Sequence, residues 1–401
     1  MSKKWSIFLV IVLVAGLVLP ACGDEEKDDT EEIKTVKVAI SAPLGLDIGQ
    51  DVVNVAQMAL DENGGKAGKL KVELLPLDVS DPNGSPVSVD FEKQAAEKAA
   101  KDKSVVAYLG PMTSDQAKVS VPILSAASIV QVTESATWPG LTKPGFGAGE
   151  PGTYYPSGQR TFFRVLPSDD VQGLAGAKWA NSLGVKKAYV IDDGTSYGIG
   201  LSGIFEAAAT DYEIEIIDHV SLAADATEDD LAALAETVAA AEPDLVYFGG
   251  GVVPHGVGMV RALRTANPTL VIMGTDGLQQ DEFVAELGAE LAEGVYVTGL
   301  TIPATEQKNA EAFVAAYTEK YGKEPAPYVI LAYEGMKVIL AAIEKAGSAD
   351  RGKVLDAMTN LGVYTGVLGL WSFDEYGDIK DAPISGWQIQ SGVWTYVKLI
   401  E

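Results

Sequence analysis

The sequence predicts an α/β fold made of two similar lobes with parallel-sheet cores, and three observations predict it. Short β-rich runs alternate with amphipathic segments along the chain, the order produced by parallel sheets covered by helices. The strand–helix–strand triplet at 71–110 has the same layout as one at 212–250, each with a charged helix and a buried strand ending in Leu-Gly or Phe-Gly-Gly. Their residues barely match, which points to two like lobes and not to a tandem repeat. Finally, 401 residues at 47% hydrophobic suit two cores better than one.

Taken in order, "TVKVAIS" (35–41) reads as a strand and "VNVAQMALDEN" (53–63) as a helix stopped by Gly64-Gly65. "KVELLPLD" (71–78) is a strand, "DFEKQAAEKAAKD" (90–102) a helix, "VVAYLG" (105–110) a buried strand and "SIVQVT" (128–133) another. The series resumes with a strand at 188–194, a helix at about 198–209 and a strand at 212–220. The Ala-rich helix "EDDLAALAETVAAAE" and the strand 244–250 complete it. Loops at the carboxyl ends of such strands are where open α/β sheets hold ligands. Between the triplets, "LTKPGFGAGEPGTYYPSGQR" (141–160) is too rich in Gly and Pro for an element and reads as an exposed loop. Its glycines follow no strand and run into Glu150-Pro151, which argues against a phosphate-binding loop.

The chain opens with Lys3 and Lys4, then the apolar run "IFLVIVLVAGLVLPA". A basic start, about fifteen apolar residues and a small residue make a secretory signal, 1–21; crossing a bilayer needs about 20. Leu19, Pro20, Ala21 and Cys22 resemble a lipobox, so lipidation at Cys22 is expected, anchoring an acidic tether, 22–34, to a cell membrane on its extracytoplasmic side. Cys22 is the only cysteine, which leaves no thiol for a disulfide or a nucleophile.

Removing residues 1–21 takes Lys3 and Lys4 and no acid, so the formal charge of −26 becomes −28. That balance argues against nucleic acid as a partner. The two histidines, His219 and His255, have no companion at ligand spacing, so no metal site is expected. Asp192-Asp193 reads as a pair of turn residues on an exposed loop, because neighbouring acids there rarely have the split pKa values that acid/base work needs. No nucleophile elbow is present. No catalytic residue and no cofactor are expected.

Several segments stand in one order: "SAPLG", "ALDENGG", "LDVSDP", "YLGPMTSDQA", "TESATWPGLT", "TFFRVLPSDDVQG", "VIDDGTSYGIGLSGIF", "IMGTDG", "EGVYVTG", "YEGMKVILAAIEKAGS" and "FDEYGDIKDAPISGWQIQSGVW". From about residue 35 to the end, this set resembles the substrate-binding proteins of branched-chain amino-acid ABC transporters. The resemblance implies two Rossmann-like lobes, the type I periplasmic-binding-protein fold, joined by three crossovers and closing on a ligand like a hinge. It implies one lobe from 35–163 and about 300–380, the other from 164–299 and about 381–401.

Thr113 and Ser114 stand where a helix begins after a strand, and a helix N-terminus with a hydroxyl suits a carboxylate; a plain cap is the alternative. The resemblance implies that Ser135, Ala136 and Thr137 give backbone groups and a hydroxyl to a ligand's α-carboxylate and α-ammonium, although "SAT" alone is an ordinary turn. It implies that Tyr197 covers the ligand from the second lobe and that Asp276 pairs with the ammonium, although lobe packing and a simple turn also fit those residues. Asp276 is one methylene shorter than the family's Glu, which puts its direct reach in question. Met112 and Trp138 are expected against the apolar part. Thr113 stands where relatives carry a disulfide cysteine, and Val252 and Val253 stand where they carry tyrosines.

The implied partners are a small zwitterion, foremost an aliphatic amino acid, and an ABC permease, with the protein a monomer. A sensor of amides or small carboxylates that feeds a signalling partner is the second reading, and an extracellular hydrolase on the same scaffold the third.

Overall fold

The computed structural model describes residues 34–81 and 87–400; the signal, Cys22 and nearly all of the tether lie outside them. The first sheet contains β1 (Thr35–Ala42), β2 (Lys66–Ala67), β3 (Leu70–Asp78), β4 (Val105–Leu109), β5 (Val130–Thr133) and β6 (Phe162–Arg164). Its strand order is β2-β3-β1-β4-β5-β6, parallel from β3 to β6 with β2 antiparallel at the edge. The second contains β7 (Lys187–Asp192), β8 (Glu215–Ser221), β9 (Leu245–Gly249), β10 (Val271–Gly274) and β11 (Tyr296–Gly299). They lie in the order β11-β10-β9-β7-β8, all parallel. After the small hairpin of β12 (Tyr364–Gly366) and β13 (Gly369–Trp371), β14 (Ile384–Gln390) and β15 (Val393–Ile400) extend the second sheet beyond β11, antiparallel.

Both parallel cores therefore have the same order, second-first-third-fourth-fifth, and both reverse direction beside their first strand. Loops at the carboxyl ends near that reversal are where such sheets hold ligands. The chain passes between the sheets after β6, after β11 and before β14. The middle return brings a long helix, Pro327–Ala346, onto β4, β5 and the helix Asp47–Glu62 of the first sheet.

Local signals explain most of the elements. Central strands β4 and β9 are buried throughout, as parallel strands covered on both faces must be. The helix Val89–Lys101 is capped by Ser88, with acids in its first turn and lysines in its last, which suits its dipole. The helix Glu228–Ala241 opens on a Thr227–Asp230 capping box with three acids in its first turn.

Where boundaries moved, the backbone gives the reason. The first helix starts at Asp47 and not at 53, because Gly49 lies flat against the Pro43 carbonyl, where a Cβ would come to 2.1 Å. Ser128 and Glu213 take left-handed φ of 55°, so β5 begins at Val130 and β8 at Glu215. The loop 141–160 is less exposed than expected. The Glu150 carboxylate accepts from Trp138 Nε1 at 3.0 and 3.2 Å and from the Tyr154 hydroxyl at 2.6 Å, and both Leu141 and Tyr154 are buried.

Candidate functional site

The carboxyl ends of the two sheets face one another and are in contact. Lys118 Nζ on the helix Ser114–Ala126 donates to Ser196 Oγ at 2.8 Å, and Asp115 accepts from the Ser196 N–H at 3.2 Å. The Trp138 ring, from the loop after β5, packs against Gly200 of the helix Ser196–Ala209. The cleft between the sheets is closed.

From the first sheet, the loop after β4 carries Met112, half-buried, and then Thr113. Thr113 serves the helix: its hydroxyl accepts from the Gln116 N–H at 3.3 Å while its own N–H donates to Gln116 Oε1 at 3.2 Å, a reciprocal capping box. Ser114 is the first helical residue, nearly inaccessible, and its hydroxyl accepts from the Trp138 N–H at 3.2 Å. After β5, the Thr133 hydroxyl accepts from the N–H groups of both Ser135 (3.1 Å) and Ala136 (2.9 Å). That leaves Thr137 as the member of the expected trio whose N–H has no partner among the described residues; the Ser114 N–H is free in the same sense. The Thr137 hydroxyl is buried without a partner within hydrogen-bond criteria.

Arg164, at the end of β6, holds this loop in place. It is fully buried, pairs with Asp378 at 2.7 Å, and donates to the carbonyls of Ala136 (3.3 Å) and Trp138 (3.0 Å) and to the Thr142 hydroxyl.

From the second sheet come the acids. Asp276, after β10, is 5% exposed and accepts from Tyr197 Oη at 2.7 Å, from Gln172 Nε2 at 2.7 Å and from the Tyr328 hydroxyl. Tyr328 belongs to the long returning helix, so this last bond crosses the cleft. Burial raises the pKa of Asp276, and its three donors oppose that rise. Asp169 opens the helix Asp169–Ser182 and is 0% exposed, with neither carboxylate oxygen in a hydrogen bond. Its pKa is pushed up to about 8, first by burial and then by neighbouring Asp276; the nearby Thr137 hydroxyl and Arg164 oppose the rise. Two buried acids thus face each other, and the nearest cation is already committed to Asp378.

Sequence reading missed Asp169, Gln172 and Tyr328. It also misplaced Asp192 and Asp193, which are 1% and 3% exposed. They are turn residues, but buried ones, because each ties neighbouring strand ends together. Asp192 accepts from Ser221 Oγ and the Gly194 N–H, and pairs with His219 at 3.0 Å. Asp193 accepts from the N–H groups of Thr195 and Gly251. Together they set the loop that presents Tyr197. Of the two valines after β9, Val252 is buried and Val253 is 49% exposed. Among the described residues no cluster of His, Cys, Asp and Glu is arranged to hold a metal ion.

Two α/β lobes that gather free backbone donors and buried acids in the closed cleft between their sheets, with the Asp169 N–H donating to the Thr137 carbonyl at 3.1 Å, have the architecture of two-lobed solute-binding proteins. The profile of the periplasmic binding protein family matches residues 36–390, and the chain belongs to that family. The Leu/Ile/Val-binding protein BraC3 of Rhizobium johnstonii is 29% identical over 363 residues, covering 89% of this chain and 92% of that protein. The leucine-, isoleucine-, valine-, threonine- and alanine-binding protein of Pseudomonas aeruginosa is 28% identical over 354 residues, covering 86% and 88%. The structure of leucine binding protein LivK from Thermotoga maritima matches with a TM-score of 0.80 at 28% identity, covering 91% of this chain and 99% of that one. These findings bear out the resemblance carried by the ordered motifs and the two-lobed fold, and place the chain among binding proteins, not enzymes.

Proposed function

We propose that this chain is the extracytoplasmic ligand-binding component of an ABC importer, lipid-anchored through Cys22, and that it closes on a small apolar amino acid. The observation that carries this reading is the meeting of two charge preferences side by side in the cleft, where the Asp169 N–H donates to the Thr137 carbonyl at 3.1 Å, as the two charged groups on one α-carbon require. The free N–H groups of Ser114 and Thr137 and the Thr137 hydroxyl suit a carboxylate. Asp169 and Asp276, buried and with no free protein cation beside them, suit an ammonium. Lining this axis are Met112, Tyr197 and Trp138, against which an aliphatic side chain gains roughly 1.5–3 kcal/mol on burial. Asp276 is bound on three sides, while Asp169 lacks any acceptor role. Asp169 therefore takes the larger share of the ammonium, offsetting the shorter reach of Asp276.

Closure brings residues 35–163 and about 300–380 against 164–299 and about 381–401, and the closed monomer delivers its ligand to a permease. The names of the relatives, which bind leucine, isoleucine and valine among other residues, support the ligand class. A thermal-shift panel of the mature domain tests it. A true ligand at 100 times its dissociation constant adds roughly 2.7 kcal/mol of stability, so aliphatic amino acids should raise the melting temperature. If amides or aromatic acids raise it and aliphatic amino acids do not, the reading fails.

A further inference from the structure

The three crossovers between the sheets do more than join them. The first and third pair with each other: Arg164 N–H donates to the Gly377 carbonyl at 3.1 Å, and Ile379 N–H to the Arg164 carbonyl at 3.1 Å. The second is tied to β14, because Ser385 Oγ donates to the Thr301 carbonyl at 2.6 Å. Where they meet, they line a cavity of about 340 Å³. Val165 and Pro167 come from the first crossover, Leu300 and Ile302 from the second, Ile379 and Pro383 from the third. None of Ser114, Thr137, Asp169, Tyr197 or Asp276 lines it, so it is separate from the cleft.

The cavity has a ligand's chemistry. Its size falls at the low end of the roughly 300–1,000 Å³ usual for small-molecule pockets. Its lining is mixed: the β12–β13 hairpin adds apolar Leu368, Leu370 and Trp371, while Thr301, Gln307 and Ser372 add polar groups. Two apolar residues at its lip stand in water, Val363 at 70% and Leu370 at 74% exposure, which is a cost unless something covers them. The lining also carries two adjacent opposite charges, exposed Lys380 and exposed Asp381. Neither side chain has a hydrogen-bond or ion-pair partner among the described residues.

We propose that this hinge cavity is a second binding site for an apolar zwitterion. Its aliphatic part fills the pocket, its carboxylate meets Lys380 and its ammonium meets Asp381. All three crossovers must change backbone angles when the lobes open, so a ligand wedged among them binds open and closed forms unequally and shifts the balance between them. By linkage, filling the hinge changes affinity in the cleft, and filling the cleft changes affinity in the hinge by the same factor. The pocket would then sense the abundance of the same class of molecule that the cleft carries, which rests on the reading proposed above; its occupancy can be measured without that reading.

Leucine is the probe. The mature protein is titrated calorimetrically to 10 mM, and crystals grown at that concentration are examined for density at both positions. The expected result is a second, weaker phase, with density in the hinge cavity. The double variant Lys380→Ala/Asp381→Ala should weaken that phase at least tenfold, and so should Val363→Trp, which occludes an already exposed position. Asp276→Asn should weaken the first phase and leave the second in place, so loss of cleft binding and loss of hinge binding are read separately. With the hinge filled, the radius of gyration of the Asp276→Asn protein should change. An empty hinge cavity at 10 mM leucine, or a filled one that leaves the radius of gyration unchanged, overturns the proposal.

Discussion

Replacing Asp276 by Asn should move affinity and stability in opposite directions. The side chain keeps its shape but loses its charge, and the Tyr197 and Tyr328 hydroxyls can turn to suit an amide, while Gln172 keeps its bonds to Thr298. What is lost is attraction for a ligand cation. Removing one partner of a buried charge pair costs about 2–5 kcal/mol. Because Asp169 stays in the same cleft, the lower part of that range applies, about 2–3 kcal/mol, or roughly 30- to 150-fold in Kd. The ligand-free protein, meanwhile, no longer has to bury this carboxyl, whose pKa burial raises, so its melting temperature should rise. Isothermal titration with leucine and thermal unfolding without it read the two effects. A Kd within threefold of the parent would refute a share for Asp276 in holding the ammonium. A fall in stability alongside weaker binding would mean that Asp276 is a structural residue.

Three further outcomes follow from the same geometry. Glu134 is fully buried with both oxygens unpartnered, and burial pushes its pKa up to about 8. An acid raised in the folded state loses stability as pH climbs from its unfolded value near 4.5 to about 8. Glu134→Gln should flatten that slope in melting curves, leaving the part due to the other raised acids, among them Glu92 at about 7 and Asp169 at about 8; an unchanged slope would contradict the burial argument. At Gly200 a Cβ would come to 2.3 Å from the Trp138 ring. Gly200→Ala should therefore weaken ligand binding by about 1–3 kcal/mol, roughly fivefold or more, while the melting temperature of the ligand-free protein holds or rises; an unchanged Kd would mean the ring is not part of the closed state. Arg164→Met strips the fork from buried Asp378, and breaking such a pair costs about 3–5 kcal/mol. Urea denaturation should show the loss, and Arg164→Lys should recover little of it, because an ammonium cannot replace the planar fork.

The alternation of strands and helices, and with it the two parallel cores, was legible because it rests on local pattern. Buried runs such as β4 and β9 announce themselves, and the rule that loops after parallel strands hold ligands pointed to the strand ends, while the family resemblance singled out Ser135–Thr137, Tyr197 and Asp276 there. The same rule, applied after β6, would have found Asp169 in "LPSDDVQG", where the second lobe begins. Tyr328 gave no such signal: it reaches Asp276 from 52 residues away in sequence, on a helix that has returned to the other lobe. Glu92 was hidden for another reason. In "DFEKQAAEKAAKD" it looks like part of a solvated face, yet it is 0% exposed and bonded to Ser41 and Tyr108. Helical periodicity tells which face turns inward, but not which charge on that face finds partners.

The pairing of free donors with buried acids in the cleft is tested most directly by comparing leucine with its two half-analogues in one calorimeter. 4-Methylpentanoate keeps the carboxylate and the side chain but lacks the ammonium; 3-methylbutylamine keeps the ammonium and lacks the carboxylate. Each should bind at least 100-fold more weakly than leucine, about 2.7 kcal/mol, because each leaves one set of buried polar groups without its partner. Either analogue binding within tenfold of leucine would contradict the account.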